Sequence, residues 1–119
     1  MKKILVIEDN PLNMELITDI LEAHGYEIHS CNNAEDGVKV AEEYMPDVIL
    51  MDIQLPGMDG LTATKILKEQ NATKDIPILA LTSHAMVGFE KSAREAGCNG
   101  YLTKPINTRT IVSQIADLC

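Results

Sequence analysis

Apolar residues in this chain form short unbroken runs separated by stretches where they recur every three or four positions. Ile4-Leu5-Val6-Ile7, Val48-Ile49-Leu50-Met51 and Ile78-Leu79-Ala80-Leu81 are the runs, each closed by polar residues. A short run with no polar member suits a strand buried on both faces, as in a parallel sheet. Glu27 to Cys31 is the least apolar strand candidate, and Gly100 to Thr103 is a short fifth strand. The first alternates poorly and is placed at a sheet edge.

The intervening stretches predict helices. Leu16, Ile17, Ile20 and Leu21 recur at helical spacing as far as Gly25, and Asn10-Pro11 supplies a cap and a first-turn proline, so a helix is expected over roughly residues 12 to 24. Ala34, Val38, Ala41 and Met45 share the face of a second helix, capped by Asn33 and closed by Pro46. Leu61, Ile66 and Leu67 mark a third, followed by an exposed polar connection from Gln70 to Asp75. Phe89, Ala93 and Ala96 mark a fourth that ends at Gly97. Ile111, Ile115 and Leu118 mark a last one capped by Asn107. Strict strand-helix alternation without internal repeats implies one α/β domain over residues 1–119, with a parallel sheet, helices on both faces and right-handed crossovers.

Composition narrows the function classes. With 119 residues the chain supports a single core, and 45% hydrophobic with 24% charged residues is ordinary for a globular protein. No apolar run approaches the roughly 20 residues of a membrane span, and the start lacks a signal-peptide core, so a soluble cytoplasmic protein is expected. Ten basic against 18 acidic residues give a net charge of −8, with no basic stripe and few aromatics. Nucleic-acid and anionic-membrane binding are therefore not expected. Cys31, Cys98 and Cys119 lack any metal or disulfide spacing, as do His24, His29 and His84, so the thiols are expected to be reduced and structural.

The strand ends carry the candidate chemistry. Glu8 and Asp9 follow the first run, Asp52 the third strand, Thr82 the fourth and Lys104 the fifth. In open α/β sheets the ligand crevice lies outside the carboxyl ends of the strands, so these groups meet at one rim. Alone, Asp52 is more simply a residue capping the turn before Pro56-Gly57, and Glu8-Asp9 suits a helix N-terminus. Together, crowded carboxylates repel unless a cation sits among them, and a hard divalent ion such as Mg²⁺ meets that need. With the metal and Lys104 drawing charge from a phosphoryl group, Asp52 can act as nucleophile and carry it as an acyl phosphate, Thr82 hydrogen-bonding a phosphoryl oxygen. A cis Lys104-Pro105 bond would aim the lysine inward.

Glu8-Asp9, Met51-Asp52-Ile-Gln-Leu-Pro-Gly-Met-Asp-Gly60, Thr82-Ser83 and Lys104-Pro105, in this order and spacing, resemble a two-component response regulator receiver domain across the whole chain. Glu8-Asp9-Asn10 with Asn13-Met14 and Met51 to Pro56 are most similar to DivK-type single-domain regulators of cell division and polarity, although receivers of hybrid histidine kinases share much of this wording. The resemblance implies a flavodoxin-like fold with strand order 2-1-3-4-5. It implies Asp52 as phosphoacceptor from a histidine kinase or histidine phosphotransfer protein, and Glu8, Asp9, Asp52 and the Gln54 backbone carbonyl as Mg²⁺ ligands. It further implies Lys104 as the phosphate contact, Thr82 and Tyr101 as a switch pair, and helix 4, strand 5 and helix 5 as the face offered to a downstream protein. Since the chain stops at the fifth helix, output by protein contact is expected, with autodephosphorylation but no classical enzyme activity. His84, two residues past Thr82, and Ser83, where alanine is commoner, depart from the usual pattern.

Two rivals use similar groups. A haloacid-dehalogenase-type phosphatase also forms an aspartyl phosphate with Mg²⁺ but expects an acid two residues after the nucleophile, where this chain has Gln54. A flavin-binding module of the same topology wants aromatics beside the ring, against 3% aromatic content here.

Overall fold

The computed structural model describes residues 2–83 and 87–119, with the backbone alone at 87–89. Its elements are β1 (Lys3–Ile7), α1 (Pro11–Ala23), β2 (Glu27–Cys31), α2 (Ala34–Tyr44), β3 (Val48–Asp52), α3 (Gly60–Glu69), β4 (Ile78–Thr82), α4 (Val87–Ala96), β5 (Gly100–Thr103) and α5 (Thr108–Leu118). The strands pair in parallel in the order β2-β1-β3-β4-β5, as the resemblance implies.

The unbroken runs are apolar throughout because each strand feeds two cores. Leu5, Ile7, Ile49, Met51, Ile78 and Ala80 point to one face, where Ala34, Val38 and Ala41 of α2, Ala63 and Leu67 of α3 and Ala93 of α4 cover them. Ile4, Val6, Val48, Leu50, Leu79 and Leu81 point to the other, against Ile17 and Leu21 of α1 and Ile111 and Ile115 of α5. Each large side chain removed from water in this way contributes about 1.5–3 kcal/mol. β2, at the edge, is mostly exposed, consistent with its weak pattern.

Local signals set the helix ends. The side chains of Asn10, Asn33 and Asn107 cap α1, α2 and α5 as expected, each oxygen accepting from backbone N–H groups of the first turn. Asp59 does the same for α3. Gly60 opens that helix because a Cβ there would collide with the Asp52 carbonyl oxygen and the Ile53 Cα, so α3 starts in direct contact with the end of β3.

Two expected core positions are corrected. Met45 does not continue the apolar face of α2: Pro46 disfavours a helical conformation at the preceding residue, and Met45 takes φ 51° as the left-handed cap, 46% exposed. Leu16 is 41% exposed, because the contacts of α1 with the sheet are carried by Ile17 and Leu21. His84, Met86 and the Phe89 side chain lie outside the described residues. Of the cysteines, Cys31 and Cys98 are buried, Cys119 is exposed, and all three are free.

Candidate functional site

Parallel pairing brings the strand ends together. Ile7 is in register with Met51 and Asp52 with Leu81, so Glu8, one residue past β1, stands beside Asp52. Backbone bonds carry the ladders past the strand ends. The Glu8 N–H donates to the Cys31 carbonyl at 3.0 Å, that of Ile53 to Leu81 at 2.9 Å, and that of Lys104 to Thr82 at 2.7 Å. The Lys104-Pro105 peptide bond is cis.

Lys104 closes a charged triangle. Its ammonium donates to Glu8 Oε1 at 2.7 Å and to Asp52 Oδ2 at 2.9 Å, while Asp52 Oδ1 accepts the Gln54 backbone N–H at 2.9 Å. Glu8 and Asp52 are each 1% exposed, whereas Asp9 faces solvent. One carboxylate oxygen from each of the three acids lies within 4.8 Å of the others.

Two buried carboxylates share one ammonium, and the surplus negative charge shows in their proton affinities. Burial, reinforced by Asp52 and opposed by Lys104, pushes the Glu8 pKa up to about 7. Burial acts the same way on Asp52 but is outweighed by the neighbouring Glu8 carboxyl and by hydrogen bonds from the Gln54 N–H and Lys104, which hold it below its ordinary value. Lys104 is raised, its two acid partners overcoming the opposing effect of burial. Below about pH 7 the acid pair therefore holds a proton, mainly on Glu8.

One oxygen of this cluster lacks a partner. Glu8 Oε2 is buried and accepts no hydrogen bond among the described residues. A buried acceptor left unsatisfied costs roughly 1–3 kcal/mol, and a hard cation with oxygen ligands is the group that would satisfy it. Glu8, Asp9 and Asp52 thus fit a divalent ion by donor chemistry and spacing. A cleft of about 430 Å³ opens beside Glu8 and Asp9, lined also by Met14, Cys31 and Asn32.

A second, uncharged cluster adjoins the first. Gln54 Oε1 accepts the Thr82 hydroxyl at 3.1 Å, the Ser83 backbone N–H at 2.7 Å and the Ser83 hydroxyl at 2.7 Å. Sequence reasoning assigned Gln54 only a backbone carbonyl and missed its side chain. The sole available signal was an amide two residues past a strand-end carboxylate. Tyr101, the other residue of the expected switch pair, sits on β5 in register with Ala80, half-buried against the core that also holds α2 and α3.

Residues 4–116 match the sequence profile of the response regulator receiver domain. The polar-differentiation response regulator DivK of Brucella anthropi is 43% identical over 114 residues, covering 96% of this chain and 93% of that protein. Among solved structures, chemotaxis protein CheY4 of Vibrio cholerae superposes with a TM-score of 0.94 at 26% identity, covering 100% of this chain and 99% of that one. The receiver domain of sensor histidine kinase PA1611 from Pseudomonas aeruginosa, with a magnesium ion coordinated in its active-site cleft, gives 0.91 at 34% identity, covering 98% and 96%. Likeness of this extent, in sequence and in fold, means that the chain belongs to the response regulator receiver domain family, whose general function is that of a phosphorylation switch.

Proposed function

We propose that Asp52 accepts a phosphoryl group from a phosphohistidine of a histidine kinase or histidine phosphotransfer protein, with Mg²⁺ held by Glu8, Asp9, Asp52 and the Gln54 backbone carbonyl. The observation that carries this reading is the Lys104 ammonium bridging Glu8 and Asp52, with the second Glu8 oxygen buried and unpartnered. Bound Mg²⁺ supplies charge neutralisation for the carboxylates and the incoming phosphoryl oxygens.

An Asp52 oxygen bonds to phosphorus as the phosphorus–nitrogen bond breaks, and the electron pair stays on the donor imidazole. Asp52 is 1% exposed at rest, so Lys104 must exchange at least one carboxylate for a phosphoryl oxygen as the group arrives. The Thr82 hydroxyl donates to a second phosphoryl oxygen. Hydrolysis reverses the state: a water oxygen attacks phosphorus, inorganic phosphate leaves and the Asp52 carboxylate is restored.

Output passes through α4, β5 and α5, with Thr82 and Tyr101 as the switch pair, to a downstream protein in the cytoplasm. Similarity to DivK supports a role in cell division or polarity. The 34% identity to the receiver of a sensor histidine kinase supports a second reading, the receiver domain of a hybrid histidine kinase. The amide at Gln54, which cannot act as a general acid, speaks against a haloacid-dehalogenase-type phosphatase.

The test is incubation with acetyl phosphate and Mg²⁺, followed by mass spectrometry. The expected result is an acid-stable, base-labile phosphoryl adduct on the Asp52 peptide, absent in Asp52→Asn and absent when EDTA replaces Mg²⁺. Equal labelling of wild type and Asp52→Asn would overturn the assignment.

A further inference from the structure

We propose that the Gln54 side chain is a latch that holds the switch hydroxyl in its resting position, and that Gln54 couples this latch to Asp52. The inference rests on Asp52 as phosphoacceptor and goes beyond it, because it assigns the resting state to a side chain outside the phosphoryl-binding groups. Gln54 makes two kinds of bond in opposite directions. Its backbone N–H donates to Asp52 Oδ1 at 2.9 Å, and its side-chain oxygen holds Thr82 and Ser83. The Ser83 N–H can only donate, so the amide is oriented with its oxygen toward β4.

A carbonyl oxygen has two lone pairs, and among the described residues three donors converge on this one. They are not held equally: the two Ser83 bonds are 2.7 Å and the Thr82 bond is 3.1 Å. The Thr82 hydroxyl is therefore the member most easily released, while Ser83 keeps the amide in place. Its single proton now points to Gln54, and to donate to a phosphoryl oxygen on Asp52 it must abandon Gln54.

Phosphorylation favours that exchange from both ends. The phosphoryl oxygens are charged acceptors and stronger than an amide. If Oδ2 takes the phosphoryl group, Oδ1 becomes the carbonyl of an acyl phosphate, a weaker acceptor for the Gln54 N–H than the carboxylate it replaces. Gln54 thus loosens where it meets Asp52 as Thr82 is drawn away from its side chain.

The test uses the full chain, Gln54→Met as an isosteric loss of the acceptor, and Gln54→Glu, which keeps an oxygen in place. Gln54→Ala replaces the methionine variant if that one does not fold. The first measurement, without any phosphoryl mimic, is the Ser83 amide by NMR. It is expected to move upfield and exchange faster in Gln54→Met and to stay hydrogen-bonded in Gln54→Glu. The second is apparent affinity for beryllium fluoride with Mg²⁺, expected to rise about fivefold in Gln54→Met, the factor made by one neutral hydrogen bond of ordinary net strength.

In a Thr82→Ala background the same substitution is expected to bring no gain, since there is no hydroxyl to release. A Ser83 amide unmoved by Gln54→Met, or an affinity gain undiminished in Thr82→Ala, overturns the proposal. Should the wild type bind no beryllium fluoride, the reading of Asp52 fails and the coupling with it. The resting latch is then judged by the Ser83 amide alone.

Discussion

The two clusters at the sheet rim share Gln54 and differ in what they have in surplus. In the charged cluster, among the described residues, Glu8 and Asp52 face a single ammonium and one buried oxygen has no partner. In the uncharged one, three donors of the described residues compete for a single oxygen. Surplus negative charge is relieved only by adding a cation or a proton, whereas surplus donors are relieved by letting one go. On the reading proposed above, the first cluster receives a group and the second releases one.

The widest separation between the clusters is expected from Lys104→Met. Removing the ammonium leaves the developing phosphoryl charge without its fixed donor, and the initial rate of labelling by acetyl phosphate should fall by two to three orders of magnitude, roughly the loss seen when a preorganised charge-stabilising donor is removed. Thr82→Ala, in the uncharged cluster, should cost about tenfold, the effect of one hydrogen bond to a charged group. Equal losses from the two variants would break the distinction.

A second contrast lies in pH. Folded Glu8 titrates at about 7 against an ordinary 4.5, so between these values the folded chain binds more protons than the unfolded chain. Stability must then fall as pH rises through that window, by at most about 3 kcal/mol and completely by about pH 8. Asp52 is lowered, and its contribution is lost only in acid, as pH falls below the ordinary aspartate range. Thermal melts of the metal-free protein from pH 5 to 8 should therefore slope downward, and Glu8→Gln should flatten them. Mg²⁺ competes with the Glu8 proton, so its stabilisation should be larger at pH 8 than at pH 6. A metal-free melting temperature that rises over this range would refute the assignment of the proton to Glu8.

Most of the charged cluster was legible because its members end apolar runs. Asp52 terminates Val48-Ile49-Leu50-Met51, Glu8 terminates Ile4-Leu5-Val6-Ile7, and a parallel sheet puts both at one rim. What could not be read was which of two adjacent acids is buried: Glu8 is enclosed and Asp9 is exposed, a matter of strand direction that neighbouring carboxylates do not encode. The uncharged cluster was largely illegible. Gln54 lies past the strand, where neither the period of a strand nor that of a helix constrains a polar side chain, and its partners are 28 and 29 residues away. Leu16 shows the converse limit, since helical spacing selects a face but not how much of it the sheet covers, and Met45 falls just past the helix end, where that spacing no longer applies.

The smallest expected effect is the most discriminating for the uncharged cluster. Ser83→Ala removes one of three donors from Gln54 Oε1 and leaves the Ser83 N–H and the Thr82 hydroxyl, which match its two lone pairs. Deleting an ordinary hydrogen bond costs about 1 kcal/mol, and more when a buried partner is stranded. The Gln54 oxygen keeps two donors and Ser83 is exposed, so the loss in urea denaturation should be below about 0.5 kcal/mol, seen as a small midpoint shift at constant slope. The Thr82 bond, relieved of a competitor, should tighten, so that affinity for beryllium fluoride falls slightly where Gln54→Met raises it. A loss near 2 kcal/mol would mean that the Ser83 hydroxyl is an essential donor to the amide, and that Thr82 is not the member the cluster is built to give up.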